Sequence, residues 1–452
     1  MKKTLLALTI AGLLTACGSS SNSSSSDDTN SSSTETTTAS ATEYRVIDGY
    51  LSNAEVCYLA EGATDCEVIG TTDDNGLITI PDGTDSGQLI ATIIAGQTSD
   101  ADGVGYVGTT YQMITDIGTG ADAVITPYTT LDALDDTKSI DDIAADLGVS
   151  VDLVKGDYVS STDEDQASVA IIAKTLVTQL SESVEENNAS ELLTQATEVK
   201  TYIDEELVNS DIDLSEQNVV VLDDGSLSTE TAITELEDFL INENGLSVIS
   251  LNAEYYSQEG GSVAMFSEDG TGSFSGEDNF TFTYSTEGDF LTTSVDSDSA
   301  TDQFIYVNST IALSVPLAGK DLTVMVDSTL ETATSLWDRD EIVGNTLYLI
   351  FDDSSGTTVA TPTYAALTFS DEEVVIVEDG ETATFEWSLD DDGFLTLYTG
   401  NDYGDRDVTF VKYLTDDNIV VYNDYYNESF GLMLSDENLA EALFNEWSSI
   451  SE

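Results

Sequence analysis

Apolar and polar residues follow three successive patterns along this chain, and each predicts a different kind of structure. Behind Met1-Lys2-Lys3, residues Thr4 to Ala16 form a mostly apolar run that closes on small residues. It is shorter than the ~20 residues a membrane-spanning helix needs. Residues 18–43 are almost entirely Ser, Thr, Asn, Asp and Ala, with no large apolar residue before Tyr44; such a stretch cannot bury enough surface to order itself. From Tyr44 the period becomes 2. Arg45 to Leu59 alternates apolar with turn residues, Asp73-Asp-Asn-Gly76 separates two strand-like pieces with a hairpin signal, and Gln88 to Ala95 reads as a buried strand.

Between 136 and 245 the period changes to 3.6. Ser139 with Asp142 caps a helix whose apolar face is Ile140, Ile143, Ala144 and Leu147, and Gly148 stops it. A longer helix is expected from about Asp163 to Glu186. Another starts at Ser190 with Leu192, Leu193, Ala196, Val199, Ile203 and Leu207, and a fourth runs from Ser228 to about Asn242. Strands rich in Tyr, Phe, Thr and Val return from Leu246 to about Ser435, which caps a last helix carrying Leu439, Ala442, Leu443 and Trp447. Within this second β region the sequence echoes itself. Ser262 to Gly270, Phe280 to Tyr284 and Gly288 to Thr292 parallel Tyr364 to Asp371, Ala383 to Trp387 and Gly393 to Leu397. A period near 100 residues is too long for a solenoid and predicts two antiparallel meanders closing one barrel or sandwich.

The predicted fold is therefore multidomain and mainly β with a helical middle. It comprises a segment 1–17, a tether 18–43, an N-terminal β-sandwich 44–135, a small helical bundle 136–245, a C-terminal antiparallel β-barrel or sandwich 246–435 with two meander-like halves, and a helix 436–452.

Charge narrows the functional classes. The 452 residues include 87 Asp and Glu against 11 Lys and Arg, a formal −76. Repulsion on this scale argues against nucleic acid and against unassisted binding to anionic lipid headgroups. No histidine is present, which removes Ser-His and Cys-His nucleophile pairs and histidine-ligated zinc or haem.

The cationic start, the short apolar run and its small-residue end have the form of a bacterial export signal. Its last residues, Leu14-Thr15-Ala16-Cys17, resemble the lipobox of bacterial lipoproteins. That resemblance implies a lipid attachment at Cys17 through palmitate-type acyl chains, and Gly18 favours the outer membrane, on an undetermined face. Removing Lys2 and Lys3 with the signal leaves 9 basic residues against 87 acidic, a formal −78. The 26 residues of the tether would reach about 25–30 Å. With Cys17 acylated in an oxidising compartment, Cys57 and Cys66 remain as an even pair, expected as a disulfide, with two free thiols or a metal pair as the alternatives.

Asp48 to Cys57 followed by Thr72-Asp-Asp-Asn-Gly-Leu77 resembles the transthyretin-like or carboxypeptidase-regulatory-like β-sandwich of bacterial envelope proteins. Ile125-Thr-Pro-Tyr-Thr-Thr-Leu131 is similar to a segment that follows such modules. The resemblance implies an adaptor or ligand-presenting domain without catalytic residues. The rhythm of the second β region resembles lipocalin-like barrels of bacterial lipoproteins, by pattern alone.

Motifs that carry chemistry are few. Gly103-Val-Gly-Tyr-Val-Gly108 fits the dinucleotide fingerprint but lacks the strand–helix context it needs, so it is expected to be fortuitous. Acid-rich turns raise calcium: Asp390 and Asp392 fall at ligand positions of an EF-hand-like loop that lacks the closing Glu, and Asp402 and Asp405 lie in another dense loop. Tyr422, Tyr425, Tyr426 and Phe430 would stack on sugars or, more ordinarily, fill a barrel. The expectation is a non-enzymatic lipid-anchored envelope protein acting as a binding or structural module, without catalytic residues or a cofactor. Its partners would be the outer membrane and an envelope protein or glycan. The alternative is a calcium-assisted adhesin or carbohydrate binder; an envelope hydrolase working through carboxylates ranks last.

Overall fold

The computed structural model describes residues 42–451 apart from 82–83, 85, 102, 119–122, 136, 164, 209–212, 223–224, 252–261, 277–278, 318–320, 330–335, 355–359, 401–406, 417 and 425–428. Cys17, residues 18–41 of the tether, Asp402, Asp405, Tyr425 and Tyr426 lie outside the described residues, and Glu43, expected to end the tether, opens the strand Glu43–Val46.

The N-terminal part packs a four-stranded sheet, in the spatial order 67–71, 55–59, 88–93, 111–116, against a three-stranded one in the order 77–79, 43–46, 124–125. Alternation decides which side chains are inward. In Gln88–Ile93 every second residue is buried, and Val46, Val56, Leu89, Ile93 and Met113 are fully enclosed. The helical layer begins earlier than the sequence boundary suggests. Thr126 caps α1 (Pro127–Leu134) through a capping box with Pro at its first position. Its Tyr128 and Leu131 join the helical core, where the Tyr128 hydroxyl donates to the Val169 carbonyl at 2.6 Å. α2 (Ile140–Leu147) has the expected Ser139 box and a left-handed Gly148. α3 (Val151–Lys155), α4 (Gln166–Val177) and α5 (Ala189–Tyr202), the last prolonged by a π turn Ile203–Leu207, complete the layer.

Two helix expectations are corrected. The helix foreseen from Asp163 to Glu186 ends at Val177, with one 3-10 turn at Val184–Glu186. The helix foreseen from Ser228 is instead a strand, Leu227–Thr231, paired with Gln217–Val221, because Thr-Glu-Thr beside a Val run favours a ladder over a lone turn of helix. Only α6 (Leu236–Leu240) remains helical there.

The C-terminal region contains two closed eight-stranded barrels, not one. The first runs Leu246–Ser250, Ser262–Ser267, Thr271–Ser275, Phe280–Glu287, Phe290–Val295, Asp298–Val307, Ile311–Pro316 and Thr323–Asp327. The second runs Thr346–Asp352, Pro362–Phe369, Glu373–Glu378, Glu381–Leu389, Leu395–Tyr398, Val408–Asp416, Ile419–Asp424 and Ser429–Leu434. Each half of the echo closes on itself.

Details recur between the barrels. α6 and α7 (Arg339–Ile342) precede the first strand of each barrel, and their capping boxes, Glu235 with Asp238 and Asp338 with Glu341, are 103 residues apart. Phe266 meets Tyr284 edge-on at 5.1 Å, and Phe369 meets Trp387 edge-on at 5.3 Å, again 103 apart. The Tyr284 hydroxyl donates to the Ser267 carbonyl and the Trp387 indole N–H to the Ser370 carbonyl, both at 2.9 Å. Sixth and seventh strands slip by one residue at Ile305 and at Tyr413, now 108 apart. The offset grows because the connection between the fifth and sixth strands is longer in the second barrel, Tyr398 to Val408 against Val295 to Asp298.

The barrels touch through equivalent outer walls. Ile249, Ile311, Leu313, Val324 and Val326 of one and Ile350, Ile419, Val421, Leu432 and Leu434 of the other share a single core. This is the self-complementary arrangement of a two-fold dimer, here within one chain. α8 (Glu437–Ser451) seals it with Leu439, Ala440, Leu443 and Trp447, all fully buried. Ala95 of the N-terminal part joins the same core.

Candidate functional site

The cysteine pair forms a disulfide. Cys57, in strand Glu55–Leu59, and Cys66, immediately before the adjoining strand Glu67–Thr71, are bridged with Cα atoms 5.6 Å apart. The bond pins a hairpin whose register slips between Val56 and Cys57.

The acidic turns at Asp390 and Asp73 serve the backbone. The Asp390 carboxylate accepts the N–H groups of Asp392 at 3.0 Å and Phe394 at 2.9 Å, closing its own hairpin. Asp73 does the same with Asn75 and Leu77; hydrogen bonds from Leu77 and then Asn75 hold its carboxyl below the usual range. Among the described residues no three acids or cysteines converge as a metal site. Tyr422 fills the second barrel, 4.9 Å from Phe410, and Phe430 meets Tyr413 edge-on at 4.9 Å.

The glycine-rich loop has a structural purpose that its sequence did not disclose. No helix follows Gly103 to Gly108; the loop docks on three neighbours. Gly105, at φ +78°, lies against the Ile305 carbonyl, where a Cβ would come within 2.7 Å. Tyr106 N–H donates to that carbonyl at 3.4 Å, the Tyr106 hydroxyl donates to Glu446 of α8 at 3.1 Å, and Asn418 of the second barrel donates to the Gly108 carbonyl at 2.9 Å. The bulge at Ile305 is thus where the first barrel receives the N-terminal part. A small cavity of about 120 Å³ remains at this seam, lined by Ser99, Tyr106, Asp289, Gln303 and Glu446 among others. Burial, with the nearby Glu446 charge, pushes the Tyr106 hydroxyl up to about 12. Burial also raises Asp289, opposed by the Gly105 N–H. The seam is polar joinery.

The barrel interiors differ more tellingly. In the second barrel, Phe351, Phe410, Tyr422 and Gly431 point inward on the first, sixth, seventh and eighth strands, with Gly431 required because a Cβ there would collide with the Tyr422 hydroxyl. Strand register makes Ser250, Asp302, Ser314 and Thr323 their counterparts in the first barrel. Three rings are replaced by a carboxylate and hydroxyls. Ser314 is 1% exposed and its hydroxyl has no hydrogen-bond partner among the described residues. Asp302, mostly buried beside Leu291, is raised to about 6 by burial alone.

Sequence reading missed Asp302 and Ser314. The four apolar residues Phe304 to Val307 hide which alternate set faces inward, and a period of 100 misaligns the strands that are 108 apart.

No protein-family model matches this chain, and no curated protein does.

Proposed function

We propose that the protein is a lipid-anchored, non-enzymatic binding module of the bacterial cell envelope. Acylation of Cys17 would tether the folded body to the outer membrane through residues 18–43. The observation that carries this reading is the Cys57–Cys66 bridge: of three cysteines, it leaves only Cys17, the one that ends the apolar run. An oxidising compartment agrees with the bridge. The N-terminal sheets would act as the adaptor that the transthyretin-like resemblance implies. Several acyl chains on one residue supply stable attachment, since each buried CH₂ contributes about 0.8 kcal/mol and one chain alone is marginal. A body without histidine, joined at three neighbours of one loop, suits presentation of a binding surface better than turnover.

The test is expression in a Gram-negative host fed an alkynyl fatty acid. The wild-type chain is expected to incorporate label and sediment with outer membranes. Cys17→Ser should lose the label and enter the soluble periplasmic fraction with the disulfide intact. Label retained by the variant, or an unlabelled wild type, would sink the reading.

A further inference from the structure

We propose that the mouth of the first barrel, at the end away from α6, binds a small organic cation. Its ammonium would be held by Asp302 and Ser314, and its apolar body would lie against Phe274 and Phe280. The inference deepens the binding-module reading and rests on it, while remaining independent of the anchor.

The argument starts from the repeat. Equivalent positions in two copies of one barrel carry opposite chemistry. Where the second has Phe410 and Tyr422 locked edge-on, the first has Asp302 and Ser314, with Thr323 next in register to Ser314. The aromatic mass moves to the facing wall. Phe274 and Phe280 stack at 5.1 Å and 20° in the first barrel, and their counterparts in the second are Ile376 and Ala383. The first barrel's mouth thus has a polar wall opposite an aromatic one, and Phe280 stays 41% exposed at the rim.

Neither polar group is explained by the fold. A fully buried hydroxyl without a partner is destabilising, and native structures seldom keep one without a reason. The Asp302 carboxylate accepts no hydrogen bond among the described residues. It shares its face with Ser314, offset by one diagonal step, a spacing of about 7–8 Å between Cα atoms that one ammonium group can bridge. Ammonium groups donate to both carboxylate and hydroxyl and are attracted to ring faces. Burial without a countercharge raises Asp302; a bound cation would supply that countercharge. The formal −76 of the chain draws cations and repels anions.

The experiment is calorimetric titration of the full mature chain with benzylamine, benzyl alcohol and benzoate, in about 0.3 M NaCl to screen unspecific attraction. Benzylamine is expected to bind with one-to-one stoichiometry and the other two at least tenfold more weakly. Asp302→Asn, close in shape, should weaken benzylamine at least tenfold without lowering the thermal midpoint. Ser314→Ala should weaken it several-fold, and Asp391→Asn, on an exposed turn of the other barrel, should leave it unchanged. Equal binding of benzyl alcohol, binding to Asp302→Asn within twofold of wild type, or no binding of benzylamine at millimolar concentration would each overturn the proposal. Anchoring is read separately through Cys17→Ser, so failure here leaves that reading standing.

Discussion

Asp302 illustrates how one residue imposes a pH dependence on the whole chain. Its carboxyl is pushed up to about 6 by burial, while an unfolded Asp titrates near 3.9. Between these values the folded state binds the extra proton, so stability falls as pH rises from about 4 to 6 and stays lower above that. The shift bounds the effect at about 3 kcal/mol, and residual solvent access reduces it. Asp302→Asn should therefore stabilise the ligand-free protein by about 1–2 kcal/mol at pH 7.5. It should also flatten its urea-unfolding profile between pH 4 and 6. Asp327 works in the opposite sense. Burial would raise it, but donors on Thr329, Asn244 and Asn242 outweigh that and hold it at about 2. Its contribution is present above pH 4 and is lost as pH falls toward 2. Lys412 is a third case: 4% exposed, it reaches Glu341 of α7 at 2.7 Å and lies 4.9 Å from the Trp337 ring centre. Glu341→Gln leaves that ammonium over the ring without its carboxylate. We expect a loss of about 1–2 kcal/mol by denaturant titration, below the range for a fully buried pair because Glu341 is half exposed.

At the scale of elements, the hairpin and α8 contribute by different means. The Cys57–Cys66 bridge closes a short loop and constrains the unfolded chain, so its removal by paired Cys→Ser substitution should cost about 2–3 kcal/mol. Its effect should fall on the N-terminal sheets, readable by hydrogen exchange in strands 55–59 and 67–71. α8 acts by burial. Trp447 is fully enclosed among residues of both barrels, and Trp447→Ala should cost about 3–5 kcal/mol, seen as a lower denaturation midpoint. The capped elements were readable in the sequence: the Ser139 and Asp142 side chains start α2 and the backbone N–H of left-handed Gly148 ends it, through hydrogen bonds that need only local chain. Leu227–Thr231 was not readable, because a ladder to Gln217–Val221 outweighs local preference and no local signal reports a partner strand.

For the whole molecule, charge and symmetry set the behaviour. With a formal −76 and only 11 basic residues to offset 87 acidic ones, repulsion loads the folded state. Salt that shortens the Debye length should relieve it. Raising NaCl from about 0.05 to about 0.5 M should raise the thermal midpoint by more than about 2 °C. The two barrels share one core through equivalent walls, so they should unfold in a single transition by calorimetry; two separated transitions would contradict that shared core.

The sequence by itself determined the apolar run ending at Cys17, the polar tether pattern, the β–helical–β order and the existence of a repeat, and left Cys57 and Cys66 as an even pair that the structure bridges. These are properties of composition, spacing and local capping, which need no distant partner. Only the tertiary structure decided that each half of the repeat closes its own barrel, since closure depends on pairing Leu246–Ser250 with Thr323–Asp327 far along the chain. It also decided that the glycine-rich loop is a docking loop and that Asp302 and Ser314 face inward. Inward and outward differ by one residue of register, and a single bulge at Ile305 is enough to conceal which is which.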